Sequence, residues 1–322
     1  MELTLRDEHV LSAIALKGDS SIEEVSRAIS LPAHLIRNSI ERLRRKSLVV
    51  PRLHLDLYRL GLTEFSIYFS LSGDSALRTS ALDYLFSRPE ISWAVEILGE
   101  FQYACSGYFS SINEFHSFIQ HVHDRYPGVI KSGPIMTTLS LIDYGFAGGS
   151  KKSSRSFRYG FSGNSTVKLD ELDHRIIRAL SDDPCQRLSV IARSLHMPLS
   201  TLTHRVQRLR DYGVIQGTQL LFNSPASKFG SYRVLVSCPG VTTNERARVE
   251  ELCMKHPLIY FLVEVAGEWN FEVGVFAKSA WDVNKITEQI CDIFRGHTAK
   301  TRVLADARLV KLNPFPLNPP SH

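Results

Sequence analysis

Apolar residues recur at helical spacing in two separate stretches of the chain. In the later one, Leu172, Ile176, Ile177 and Leu180 share one face of a helix that Asp182, Asp183 and Pro184 end. Ser189 opens a short second helix holding Ile191, Ala192 and Leu195, and His196, Met197 and Pro198 make a turn. Ser200 is placed as the N-cap of a third helix, with Leu202, Val206 and Leu209 inward and Gly213 as its stop. Val214 and Ile215, then residues 218–221, predict a short wing. Three helices, a tight turn before the third, and a wing make a winged helix-turn-helix. The earlier stretch keeps the same skeleton: Val10, Leu11 and Ile14; Val25, Ala28 and Ile29; Ile36, Ile40 and Leu43.

Behind each helical part the pattern changes. Strands are predicted at 64–71, 91–98, 101–109 and 130–143, with helices at 75–88 and 111–126. The same order returns as strands at 231–238, 259–265, 269–276 and 298–310, with helices at 244–256 and 279–295. Trp269, Phe271, Val273 and Val275 alternate with Asn270, Glu272 and Gly274, as in a sheet with one packed face. The order βαββαβ is ferredoxin-like, and the class is α+β. Asp7 matches Asp173 and Leu43 matches Leu209 at an offset of 166, Gly99 matches Gly267 at 168, and Gly61 matches Gly230 at 169. Such constancy reads as an internal repeat of a two-part unit. The predicted organisation is a winged helix over 1–60, a ferredoxin-like domain over 61–146, a linker over 147–168, a second winged helix over 169–227 and a second ferredoxin-like domain over 228–322.

Composition narrows the class. Hydrophobic residues make up 43% and charged residues 22%, which excludes a disordered, collagen-like or coiled-coil chain. A charged N-terminal stretch and the lack of a long apolar run predict a cytoplasmic protein with no membrane partner. Five cysteines without a CxxC pair predict neither a disulfide framework nor a zinc ribbon, but buried, inert thiols. The net charge of +5 is concentrated in the linker, which has five basic residues, no acid and many Gly and Ser. It reads as an exposed tether, able to lie along DNA phosphates.

The stretch LDELDHRIIRALSDDPCQRLSVIARSLHMPLSTLTHRVQRLRDYGVIQG at 169–217 carries a Leu-Asp opening, Arg205-Val206-Gln207-Arg208-Leu209 and Gly213-Val214-Ile215. With the βαββαβ that follows, it resembles the leucine-responsive/AsnC-type (feast/famine) transcription regulators, here as a tandem version. The first unit is more diverged, with Ser39 at the place of Arg205. The resemblance implies a DNA-binding regulator of transcription that is not an enzyme and needs no cofactor or metal. It also implies double-stranded DNA as partner, homo-oligomers built through the ferredoxin-like domains, and an effector of the amino-acid class near the turn after the second strand. Where the family commonly has Gly-x-x-Asp, this chain has Gly99 with Gln102, and Gly267 with Asn270; Thr137, Thr138 and Thr301 are placed beside the same cleft.

The third helices are the candidate DNA readers. Ser200, Thr201, Thr203, His204, Arg205, Gln207 and Arg208 carry hydroxyl, amide and basic groups able to meet base edges or phosphates. In the first unit the candidates are Arg37, Asn38, Arg42, Arg44 and Lys46, within a stretch (33–52) of six basic residues and one acid. His116, His121 and His123 lack metal-site spacing. The competing class is an enzyme: siroheme decarboxylases resemble these regulators in both domains, but their Cys-Tyr-Arg-Arg-like stretch is absent. A non-DNA-binding sensor is a third reading. The 22 linker residues span about 25 Å as a flexible coil and about 70 Å extended, enough for the two ferredoxin-like domains to pair within one chain.

Overall fold

The computed structural model describes residues 4–15, 22–46, 48–146, 156–160, 166–222, 229–295, 298–313 and 315–316. The first unit opens with α1 (Leu5–Ile14), α2 (Ile22–Ile29) and α3 (Ala33–Arg45), and the second with α6 (Glu171–Asp182), α7 (Leu188–Ser194) and α8 (Leu199–Asp211). Both first helices begin with a capping box, Thr4 with Asp7 and Asp170 with Asp173, which satisfies backbone N–H groups at the helix start. The turn before each third helix holds a residue with positive φ, Ser30 and His196, both at 53°. The third helices follow Pro32 and Pro198 directly, so Pro198 and not Ser200 sits at the N-cap of α8. Proline suits this place because it has no N–H to leave unpaired.

The predicted wing is not a local hairpin. Strand β1 (Val49–Leu55) of the first unit pairs antiparallel with β7 (Ile215–Phe222) of the second, from Val49 opposite Phe222 to Leu55 opposite Ile215. Each strand contributes to the other unit's core. Leu53, Leu55 and Leu57 pack with Ile176, Ile177, Leu202, Val206 and Leu209. In return, Leu220 and Phe222 pack with Val10, Leu11, Ile14, Ile36 and Leu43. Neither winged helix closes its core with its own residues.

The ferredoxin-like halves follow. The first contains β2 (Thr63–Leu71), α4 (Ser75–Ser87), β3 (Ile91–Leu98), β4 (Tyr103–Phe109), α5 (Ile112–Arg125) and β5 (Ile130–Asp143). The second contains β8 (Gly230–Ser237), α9 (Thr243–Lys255), β9 (Ile259–Ala266), β10 (Phe271–Ala277), α10 (Ala280–Ile293) and β11 (Lys300–Leu312). Strand order is β5-β2-β4-β3 in the first and β11-β8-β10-β9 in the second, and β3·β11 and β9·β5 join the halves within the chain. Eight strands thus close into a ring with approximate twofold symmetry, leaving these strands no free edge. Outside the ring, Phe271, Val273 and Val275 pack with residues of α9 and α10, including Val249, Cys253, Val283 and Ile290. Inside lie Tyr68, Val95, Met136, Leu235, Val263 and Trp269.

Three sequence expectations change. The polar side of β10 is not solvated: Glu272 is 5% exposed, because that face points into the ring. The tether is not wholly exposed either. Strand β6 (Phe157–Tyr159) pairs with β5 at Asp143 to Leu141, and its rings stack on His54 at 4.3 and 5.6 Å. Arg158 between them is ion-paired with Glu250 at 2.5 Å, so it is not a bare phosphate contact. The rest of the basic run, 147–155 and 161–165, lies outside the described residues. Among the cysteines, Cys185 is exposed and Cys291 half-buried, and the other three are buried.

His54 is 1% exposed, and its Nε2 donates to Gln219 Oε1 at 2.5 Å. Burial, reinforced by the Arg52 cation, holds the imidazole pKa well below the usual histidine value. A depressed native pKa means that the unfolded chain takes up the proton first as pH falls. The stabilisation is therefore complete above about pH 6.5 and is lost below it, by up to about 2 kcal/mol at pH 5. Replacing His54 by Gln should flatten the fall in Tm between pH 7 and pH 5 relative to the parent chain. Parallel Tm–pH curves in a melting series would refute the assignment.

Candidate nucleic-acid interface

Helix α8 buries Leu202, Val206 and Leu209 and leaves Ser200, Thr201, Thr203, His204 and Gln207 exposed along one side. Neither α8 nor α3 has a side-chain N-cap bond. Apart from Leu35 N, which donates to the Pro32 carbonyl at 3.0 Å, their first-turn N–H groups therefore remain available to an acceptor such as phosphate. Thr203 Oγ1 donates to the Leu199 carbonyl at 2.8 Å and Gln207 Nε2 to Asp211 at 2.8 Å; both are exchangeable surface bonds. In α3, His34, Arg37, Asn38 and Glu41 are the exposed counterparts, with Arg44, Arg45 and Lys46 exposed at the helix end. Arg44 Nη2 lies 3.3 Å from Cys185 Sγ, so the basic end of α3 reaches the second unit.

Three candidates have another role. Arg208 Nη2 donates to both Asp173 oxygens at 2.7 and 2.9 Å, and Arg205 Nη1 donates to Asp173 at 2.9 Å and Asp170 at 2.7 Å. Asp173 is 1% exposed. Arg42 makes the equivalent ion pair with Asp7, 3% exposed, in the first unit. These arginines clamp the third helix to the first, since a buried carboxylate needs a cation. The clamp is written in the sequence as matched Asp and Arg at a common offset. Their basic character had suggested phosphate contacts instead.

The residues assigned to an effector cleft separate into two places. The Gly99 and Gly267 turns meet near one end of the ring, where Arg302 pairs with Glu100 at 3.6 Å and Glu268 at 2.5 Å. Both glycines have positive φ, 137° and 157°, and a Cβ would strike Leu304 and Met136, respectively, from the other half. Gln102 Oε1 accepts from Leu71 N at 2.8 Å, and Asn270 Oδ1 accepts from Cys238 N at 2.7 Å. These amides thus tie the turn to the end of a neighbouring strand and do not reach into a cleft. Thr137 is half-buried opposite Ala266 beside the Gly267 turn, and Thr301 pairs with Val236. Thr138, 4% exposed, instead lines a cavity inside the ring.

Sequence reasoning missed the groups in that cavity: Arg52, His54, Glu64, Arg233, Glu272 and Asp306. The available signal was a charged residue at alternate positions of otherwise apolar strands, as in Glu64-Phe65-Ser66-Ile67-Tyr68 and Tyr232-Arg233-Val234. His123 Nε2 contacts Ser132 Oγ at 2.9 Å, and no group of three metal-ligating side chains occurs among the described residues. No helix among the described residues is long and apolar enough to cross a membrane.

Known proteins add to this geometry. An HTH-type transcriptional regulator FL11 from Pyrococcus abyssi is 27% identical over 127 residues, covering 39% of this chain and 83% of that protein. An uncharacterised HTH-type transcriptional regulator from the same organism is 26% identical over 139 residues, 43% of this chain and 92% of its own length. The siroheme decarboxylase NirDL, solved with an iron-uroporphyrin III analogue, superposes with a TM-score of 0.60 over 96% of this chain and 92% of its own; at 13% identity the likeness is one of fold. Residues 169–216, which hold α6, α7 and α8, match the family model described as winged helix-turn-helix DNA-binding, and this segment is a helix-turn-helix of that type.

Proposed function

We propose that this chain is a transcription regulator of the leucine-responsive/AsnC type that reads DNA with two unlike winged helices. The observation that carries the reading is the polar, uncapped face of α8, within the segment that matches the DNA-binding family. Ser200, Thr201, Thr203, His204 and Gln207 meet base edges and phosphates there. Arg37, Asn38, Arg44 and Lys46 do so from α3, where the charge is denser. An amino-acid effector at the Gly99 and Gly267 turns has little support, since the amides that replace the family's acid are bound to backbone N–H groups. The fold likeness favours a second reading, an enzyme acting on a tetrapyrrole. The cavity chemistry weighs against it. Glu64, Asp143, Asp182, Glu272 and Asp306 line the cavity against Arg52, Arg233 and Arg308, an acidic excess that repels a polycarboxylate. Mixing with siroheme should leave the Soret band unshifted.

Double substitution of Arg37 and Arg44 by Ala should weaken binding to all sequences and reduce the salt slope by about 2. Thr203→Ala or His204→Ala should instead change preference at one base position, by about 1–3 kcal/mol. Arg208→Ala should lower thermal stability by about 2 kcal/mol by leaving the buried Asp173 with Arg205 as its one remaining cation among the described residues. Fluorescence anisotropy on a selected operator, with melting curves alongside, separates these effects. Helix-three surface variants that shift only Tm would end the reader assignment.

Operator symmetry mirrors protein symmetry, and α3 and α8 present different side chains from one pseudo-twofold body. The preferred site should therefore be two unlike half-sites in fixed order. Replacing one half-site by a copy of the other should cost at least tenfold in affinity, and an equally tight palindrome in a selection experiment would contradict the reading.

A further inference from the structure

A cavity of about 750 Å³ lies between the β1·β7 pair and the interior of the eight-stranded ring, on the pseudo-twofold axis. Its floor is internally satisfied. Arg233 Nε donates to Asp306 at 2.8 Å, its Nη1 lies 3.5 Å from Glu272, and its guanidinium stands 4.3 Å from the Trp93 ring centre. Trp269 Nε1 donates to Glu272 at 3.1 Å.

The upper part is satisfied only in part. Arg52 stands at the centre of the β1·β7 pair opposite Gln219; its side chain has no hydrogen bond or ion pair among the described residues, and its Nε is buried without an acceptor. Glu64, 9% exposed, accepts the Ser106 hydroxyl at 2.6 Å and a further hydrogen bond from the Tyr108 hydroxyl, but forms no ion pair with a cation among the described residues. Burial pushes its carboxyl pKa up, and the Ser106 hydrogen bond, the Arg52 cation and the Tyr108 hydrogen bond pull it down only in part. His54, on the same strand as Arg52, also lines the cavity and leaves Nδ1 without a partner. A cation and a carboxyl thus face one space without touching, which costs stability unless something bridges them.

The bridging group must offer an acceptor to the guanidinium and a donor to the carboxylate from a single edge. A free carboxylate satisfies Arg52 but adds a second negative charge beside Glu64, and an ammonium reverses the fault. A lactam edge, C=O next to ring N–H, meets both demands and carries no net charge. Trp93, Tyr108, Tyr260 and Phe261 also line the space, and their rings suit a planar body. The size falls in the range of small-molecule pockets. We propose that this cavity binds a planar nitrogen heterocycle of the purine or pteridine class, with its carbonyl toward Arg52 and its N–H toward Glu64. There is one such site, not two. Gln219 stands across the axis from Arg52, and Ser231, opposite Phe276, takes in β8 the place that Glu64, opposite Tyr108, takes in β2.

The inference goes beyond the DNA-binding reading and is tested without DNA, so the two can fail separately. The intact chain is titrated with hypoxanthine, xanthine and guanosine by calorimetry and tryptophan fluorescence. Caffeine, which lacks the ring N–H, benzoate and tyramine serve as controls. At least one lactam should bind at one per chain with a Kd below about 1 mM. Arg52→Gln and Glu64→Gln should each weaken it at least tenfold. Arg52→Gln removes no internal side-chain bond and should not lower the Tm, so its loss of binding cannot be assigned to unfolding. The proposal is overturned if no lactam binds, if Arg52→Gln binds as tightly as the parent, or if caffeine, benzoate or tyramine binds as well as the best lactam.

Discussion

The antiparallel pairing of β1 with β7 is the contact on which the rest of the molecule depends. It connects the two winged helices by backbone hydrogen bonds, and it inserts Leu53 and Leu55 into one head and Leu220 and Phe222 into the other. Burying four such side chains contributes several kcal/mol, at about 1.5–3 kcal/mol each. The orientation of α3 relative to α8 is therefore set by packed strands and not by a loose tether. The ring below repeats the arrangement, since β3·β11 and β5·β9 each join one strand from either half.

Within this approximate symmetry the side chains differ where chemistry is concerned. The structural clamps are alike: Asp7 with Arg42, and Asp173 with Arg208. The surfaces of the third helices are not alike, nor are the two sides of the central cavity. Sheet geometry demands symmetry of apolar and capping residues, but it leaves exposed and cavity-facing positions free to diverge.

Helices and strands were legible from spacing because each buries one continuous apolar face. The two-unit order was legible from Asp7 with Asp173 and Gly99 with Gly267. What escaped the sequence was what lies on the other side of each strand. An alternating pattern such as Phe271-Glu272-Val273 looks the same whether its polar side meets water or a polar cavity. Likewise, an arginine on a third helix reads as a phosphate contact until the buried Asp173 beside it is seen. The partner of β7 could not be inferred, because pairing at a separation of well over a hundred residues leaves no local signal.

That long-range pairing also governs how the chain can fold as it is made. Val10, Leu11 and Ile14 emerge from the ribosome early, yet the residues that cover them include Leu220, Phe222, Phe229 and Phe276. Synthesis proceeds at roughly 5–20 residues per second, so the first head waits on the order of ten seconds or more with part of its core open. Contacts of such separation also carry a large loop-closure cost and slow the search. A nascent chain of this design is thus exposed to aggregation for most of its synthesis, and its first half on its own would be a poor candidate for a stable fragment.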